Sequence, residues 1–198
     1  MVDAGSRVVT AALGDMGGID GIASNAGVLL PGSLTTLSVR DFDQVFAVNT
    51  RATWLIAQAA FPIMRDGGGG SIVATASMAA WTPAPSLGAY APSKAALAMV
   101  MRQLANEWGP YGIRCNTVSP GPTLSGMNKE LFSDLTRRET RASTIPTRRL
   151  GDSEDVAEAI LFLLGPGAVQ INGTDILVDG GLSTALMTTG LQVPNAPA

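Results

Sequence analysis

Apolar positions along the chain follow two rhythms. Val8, Val9, Ala12 and Leu13 recur at the spacing of one helical face, predicting a helix over 6–16 that Gly17-Gly18 stops. IDGIAS (19–24) is a short apolar run that predicts a buried strand, followed by Asn25-Ala26-Gly27. Helical spacing returns over 39–65, with Ser38 placed as N-cap and Asp41 in the first turn. Gly67 to Gly70 form a turn that feeds a strand, SIVATA (71–76). A proline-containing loop (77–88) then leads into an alanine-rich helix over 89–108, closed by Gly109-Pro110. GIRCNTVSP (112–120) predicts a further strand, and a short helix near 127–141 precedes a Pro/Arg loop. DSEDVAEAILFLLG supplies a capped helix over 152–165, and TDILVDGG (174–181) a strand ending on a glycine turn.

Strands and helices therefore alternate, and the strands IVATA and ILV are continuously apolar, as in a sheet covered by helices on both faces. The class predicted is α/β with a parallel sheet. Neither an internal repeat nor a linker-like composition break divides the chain. Residues 1–187 are expected to form one body, a domain or part of one, and 188–198 a flexible tail.

Composition narrows the chemistry. At 198 residues, with 46% hydrophobic and 15% charged, the chain has enough apolar material for a full core. A formal net charge of −3 offers no basic field for nucleic acid. The lone Cys115 excludes a disulfide framework and a cysteine-rich zinc site, and the lack of histidine excludes Ser-His-Asp hydrolysis and histidine-based metal sites. No apolar run reaches membrane-spanning length and the N-terminus lacks a signal-peptide pattern, so a cytoplasmic location is expected. Asn172-Gly173-Thr174 fits a glycosylation sequon and is read as a chance match.

GAYAPSK (88–94) holds one of two tyrosines and one of two lysines, four residues apart. On a helix these lie on one face, so the Tyr90 hydroxyl and the Lys94 ammonium can approach each other. A nearby cation favours the phenolate, and moving a tyrosine pKa by about three units takes roughly 4 kcal/mol, within reach of one partly desolvated charge plus hydrogen bonds. A tyrosine so tuned passes a proton to or from an alcohol or carbonyl oxygen. In a chain with so few of either residue, chance supplies a Tyr-x-x-x-Lys about 0.02 times. Ser77 ends a strand where open α/β sheets place ligands, so it is either a substrate-positioning hydroxyl or an ordinary turn cap. Asn49 lies inside the long helix, where its side chain competes with backbone hydrogen bonds. It either faces solvent or loosens the helix and helps organise a proton-conducting water.

The order Asn25-Ala26-Gly27, Asn49, Ser77, Tyr90-Ala-Pro-Ser-Lys94, Pro120-Gly121 and Asp179-Gly180-Gly181 resembles the short-chain dehydrogenase/reductase family from about residue 5 onward. The resemblance implies NAD(P)-dependent hydride transfer with Tyr90 as acid/base. Lys94 would lower the tyrosine pKa and contact the nicotinamide ribose. Ser77 would position the substrate oxygen, and Asn49 would support a relay water. It places Asn25, Ala26 and Gly27 beside the cofactor, and Pro120, Gly121, Thr123 and Ser125 around the nicotinamide. Ser125 and Ser24 stand where the family has threonine and asparagine. Helices 39–65 and 89–108 would form a homo-oligomer interface, with Ala91, Ala95, Ala96 and Ala98 permitting close approach.

The resemblance also implies an incomplete Rossmann-like, doubly wound sheet, holding strands 4 to 7 of the family fold. The family's Gly-rich turn, its adenine and pyrophosphate sites and roughly 60 to 80 residues of a βαβαβ half have no counterpart in the sequence. A truncated chain is therefore expected, with IDGIAS as an open edge. A catalytically inactive remnant, or a partner of a full-length relative, is the alternative expectation. The substrate expected is a small alcohol or ketone, apolar in character; Met78, Trp81, Leu124, Met127, Leu131, Phe132 and Leu135 either line its pocket or, more often for residues of a short helix, serve ordinary packing.

Overall fold

Among the described residues, four parallel strands and six α-helices form, most of them where the apolar periodicity places them. The computed structural model describes residues 3–127, 130 and 132–187. In chain order the elements are α1 (Asp3–Met16), β1 (Gly21–Ser24), α2 (Val39–Phe46), a π-helical turn (Ala47–Arg51), α3 (Ala52–Asp66), β2 (Gly70–Thr75), α4 (Tyr90–Trp108), β3 (Ile113–Pro120), α5 (Leu135–Ser143), α6 (Ser153–Leu164) and β4 (Asp175–Val178). The sheet order is β1-β2-β3-β4, with Gly21 opposite Ser71, Ile72 opposite Cys115 and Thr117 opposite Asp175. β1 lies at one edge, as the apolar run IDGIAS was expected to.

The pleat of β2 and β3 sends alternate side chains to opposite faces. Ile72, Ala74, Ile113 and Cys115 pack with Ala57, Met64, Leu97 and Met101 from α3 and α4, and with Val9 of α1. Val73 and Val118 point the other way, against Val156 and Leu163 of α6. Helices thus cover both faces, which accounts for the unbroken apolar strands. Met64, Ile72, Leu97 and Ile113 are essentially fully enclosed, each burial contributing about 1.5–3 kcal/mol.

Local signals fix the helix starts. The Ser38 hydroxyl accepts from the Asp41 amide at 3.0 Å, and the Asp152 amide donates to Asp155 at 2.8 Å in a capping box. The short helix expected near 127–141 begins only at Leu135, because the Asp134 carboxylate accepts from the Arg137 amide at 3.0 Å and sets the start there. The long helix expected over 39–65 is continuous in direction but changes winding at Ala47–Arg51, where the Ala52 amide reaches back to the Ala47 carbonyl.

Asn172, set aside as part of a chance sequon, ties two layers together. Its side chain accepts from the Cys115 amide at 2.9 Å and donates to the Ala105 carbonyl at 2.9 Å. Among the described residues no helix is long and apolar enough to cross a membrane. The expected tail, 188–198, lies outside the described residues.

Candidate active site

Three strands end on one side of the sheet, and their following loops surround a cavity of about 940 Å³. After β1, residues 25–30 form one wall. Thr75, Ala76 and Ser77 follow from β2, Tyr90 and Lys94 from the first turns of α4, and Pro120, Gly121, Thr123 and Ser125 from the loop beyond β3. Every residue expected at the site lines this space except Asn49, which lies behind it. Open parallel sheets bind ligands at this end of their strands.

The Ser77 hydroxyl and the Tyr90 phenol line the same cavity, and Ser77 acts on the phenol to favour its ionised form. Ser77 also caps a single turn of tighter helix, Met78–Ala80, by accepting from the Ala79 amide at 3.2 Å. The turn-cap reading of Ser77 is therefore realised, by a hydroxyl that also lines the cavity. Lys94, only 3% exposed, donates from Nζ to the Thr75 carbonyl at 2.6 Å, and Nζ lies 5.8 Å from the centre of the Tyr90 ring.

The electrostatics differ from the expectation for this pair. Burial raises the Tyr90 pKa above its ordinary value, opposed by the Ser77 hydrogen bond. Burial pulls Lys94 down to about 8. The tyrosine is therefore protonated at neutral pH, and the enclosed lysine, although its pKa is drawn down to about 8, still carries its charge there.

Asn49 is fully buried at the π turn, which excludes the solvent-facing reading. Its amide is spent on protein: Oδ1 accepts from the Val28 amide at 2.8 Å, and Nδ2 donates to the Val28 carbonyl at 2.9 Å and to Ser93 Oγ at 3.0 Å. The side chain therefore locks the loop after Asn25-Ala26-Gly27 to α4. Gly27 sits between the two key groups. A Cβ there would come 3.4 Å from Lys94 Nζ and 3.5 Å from Asn49 Oδ1.

Thr75 and Ser93 belong to the site, although the motif reading passed over them. The Thr75 hydroxyl donates to Asn25 Oδ1 at 2.9 Å while its carbonyl holds Lys94. Ser93, fully buried, donates to the Tyr90 carbonyl at 2.7 Å and receives Asn49. Its place in Tyr-Ala-Pro-Ser-Lys, three residues after Tyr90, is the available signal, because a helical serine can bond back to the i−3 carbonyl.

Of the apolar residues weighed as pocket lining or ordinary packing, few reach the cavity. Met127 faces the cavity, but Leu124, Phe132, Leu135 and Met78 do not, and Leu131 lies outside the described residues. Leu135 is 69% exposed because it opens a surface helix. Trp81 turns away to a second cavity of about 580 Å³, beneath the loop 79–88. Val28, Leu29 and Leu30, with Val156 and Ile160 of α6, supply apolar walls instead.

The fit of this space to a nicotinamide group can be judged from its walls. It is large, floored by a glycine beside a buried lysine, and carries the hydroxyl-bearing residues Thr123 and Ser125 on the loop opposite. Gly121 is required there, since a Cβ would lie 2.7 Å from Asp179 Cβ. The residues present suit the nicotinamide end of a dinucleotide.

The family model described as enoyl-(acyl carrier protein) reductase matches residues 2–183. The chain is 37% identical over 182 residues to L-rhamnose 1-dehydrogenase (NAD(P)(+)) of Azotobacter vinelandii, covering 91% of this chain and 71% of that protein. It is 35% identical over 181 residues to dehydrogenase/reductase SDR family member 4 of Sus scrofa, covering 91% of this chain and 65% of the relative. The chain thus spans about two thirds of the length of these relatives. Among solved structures, a gluconate 5-dehydrogenase from Burkholderia cenocepacia, in complex with NADP and tartrate, superposes with a TM-score of 0.88 at 26% identity, covering 94% of this chain and 73% of that one.

Proposed function

The chain belongs to the short-chain dehydrogenase/reductase family, and from that premise we propose that it encodes NAD(P)-dependent hydride transfer between a secondary alcohol and its ketone, with Tyr90 as acid/base. The observation that carries this reading is the convergence of Ser77, Tyr90 and Lys94 on one cavity of about 940 Å³, with Lys94 one helical turn from Tyr90.

A nicotinamide dinucleotide supplies the hydride chemistry when bound. Asn25, Ala26, Gly27, Lys94, Pro120, Gly121, Thr123 and Ser125, with Tyr90, would hold its nicotinamide end. The Tyr90 phenol, protonated at neutral pH, is the form that delivers a proton to a carbonyl oxygen, and Ser77 donates a second hydrogen bond to the same oxygen. In the oxidative direction Tyr90 must first lose its proton, and the phenolate then takes the alcohol proton. Lys94 favours that step by placing a cation near the developing phenolate. Asn49 acts by holding the Val28 loop and Ser93, not through a free side-chain amide.

The walls formed by Val28, Leu29, Leu30 and Met127 favour a substrate with an apolar flank. The exposed side chains of Phe42, Trp54 and Met99 on α2, α3 and α4 make those helices the self-association face. Activity is tested by mixing the purified chain with NADH or NADPH and either an apolar ketone or L-rhamnose with the oxidised cofactor, following reduced nicotinamide by absorbance. Turnover that Tyr90→Phe abolishes supports the reading. Failure of both dinucleotides to bind at millimolar concentration sinks catalysis by this chain alone.

A further inference from the structure

Trp81 stands four residues after Ser77 and closes the helical turn that Ser77 opens: the Ala80 amide donates to the Ser77 carbonyl at 2.8 Å and the Trp81 amide to the Met78 carbonyl at 3.1 Å. The indole is half in solvent, at 51% exposure, yet it is tied at two points. Its N–H donates a hydrogen bond to Asp175 Oδ2 at the start of β4, and the Arg102 guanidinium of α4 lies 4.9 Å from the ring centre. Asp175 is itself held by Thr117 Oγ1 at 2.7 Å and Ser119 Oγ at 2.7 Å, both on β3. The far end of the turn is thereby anchored to two strands and a helix, while its near end carries the hydroxyl that meets Tyr90.

We propose that Asp175 and Trp81 are positioning residues for Ser77: the carboxylate–indole tie sets the pitch of the Met78–Ala80 turn and so holds the Ser77 hydroxyl on the Tyr90 phenol. The inference rests on the reading that Ser77 and Tyr90 act together on substrate. A loose turn would let Ser77 swing with the loop 79–88, and its hydroxyl would move away from the Tyr90 phenol before any contact made by the rest of Tyr90 changed. The charged groups facing this assembly are Lys94 and Arg102 from α4 and Asp175 from β4.

The chain has only two tyrosines, so NMR on protein carrying ring-labelled tyrosine gives two signals, and Tyr111→Phe identifies the one from Tyr90. Ser77→Ala defines the displacement of the Tyr90 signal when the neighbouring hydroxyl is lost. Trp81→Phe keeps the ring for Arg102 and removes the N–H donor, and Asp175→Asn, built on a different element, removes the carboxylate. Each is expected to move the Tyr90 signal in the direction that Ser77→Ala does, and Ser77→Ala combined with Trp81→Phe is expected to add nothing. A Tyr90 signal that stays in place in both Trp81→Phe and Asp175→Asn overturns the proposal. Where the parent turns over, kcat in Trp81→Phe is expected to fall about tenfold with dinucleotide affinity unchanged. An unchanged kcat counts against the tie. A parent without turnover counts against the reading of function, and the NMR comparison still decides the tie.

Discussion

Asn49 and Val28 are joined as residues of paired strands are, the two polar ends of the side-chain amide meeting the Val28 amide and carbonyl at 2.8 and 2.9 Å. A side chain here does the work of a backbone, and it does so from a helix twenty-one positions away in the chain. Asn49→Ala leaves both Val28 groups without this partner. We expect a loss of about 3 kcal/mol in urea unfolding, with Asn49→Asp, which keeps only the acceptor, recovering part of it. A stability equal to that of the parent would show that the Val28 loop finds other partners.

Lys94 carries a pH signature. Its pKa in the fold, about 8, lies below the usual 10.5, so between those values the unfolded chain binds the proton more readily than the folded one. Below about pH 8 the fold bears the cost of an enclosed charge, and that cost fades as the pH rises towards 10.5. Stability relative to Lys94→Met should therefore increase by about 2 kcal/mol across this window. The comparison with Lys94→Met removes the opposite trend from Tyr90 and Cys115, whose raised pKa values weaken the fold at high pH. A flat difference between the two proteins would contradict the assignment.

Gly180 cannot be replaced quietly. It holds φ at 64°, and a Cβ would collide with Thr147 Oγ1 and approach Ile145 Cγ2 to 2.6 Å. Gly180→Ala should cost roughly 3 kcal/mol and, by shifting Asp179 against Gly121, loosen the 120–125 side of the cavity. Thermal unfolding measures the first effect and dinucleotide titration the second. Gly14, with open space around its Cβ position, serves as a control whose replacement by alanine should be neutral or stabilising.

Tyr90→Phe removes one hydroxyl from a half-buried ring and leaves the packing intact. Turnover should fall by two to four orders of magnitude, in line with the contribution of general acid–base groups at about 10²–10⁴-fold, while dinucleotide affinity changes little. Ser77→Ala should lower kcat less steeply, because Tyr90 keeps its proton.

Self-association through α2, α3 and α4 predicts a sedimentation coefficient above that of a monomer, reduced by Trp54→Glu and Met99→Glu together. Both side chains are substantially exposed, at 40% and 59%, so the substitutions should leave the fold itself unharmed. A monomer in the parent protein would refute the face.

Much of this arrangement was legible because it is periodic. The parallel sheet could be read from continuous apolar runs, and Tyr90 with Lys94 from one helical spacing, since both are local patterns. What escaped depends on distant partners. Nothing near Asn49 in the chain announces Val28, and nothing near Trp81 announces Asp175, ninety-four positions on. The expected lowering of the Tyr90 pKa failed for a related reason: spacing tells that two groups share a helix face but not how deeply both are enclosed. Asn172 shows the converse, since its sequon was plain in the sequence while its bonds to Cys115 and Ala105 required the fold.

The π turn has a consequence for length. The buried positions of this continuous helix, Val45, Asn49, Thr53, Ala57, Ala60 and Met64, advance in steps of four, four, four, three and four. In an ideal α-helix each four-residue step drifts about 40° around the axis, so three in succession would carry the stripe about 120° away from the core. One wider turn absorbs that drift and returns the phase, as a leap day keeps a calendar aligned with the sun. The helix can therefore accept many exchanges of residue along its outer side, but losing a single position between 47 and 51 would heal its hydrogen bonding while turning Asn49 out of register with the loop that it holds.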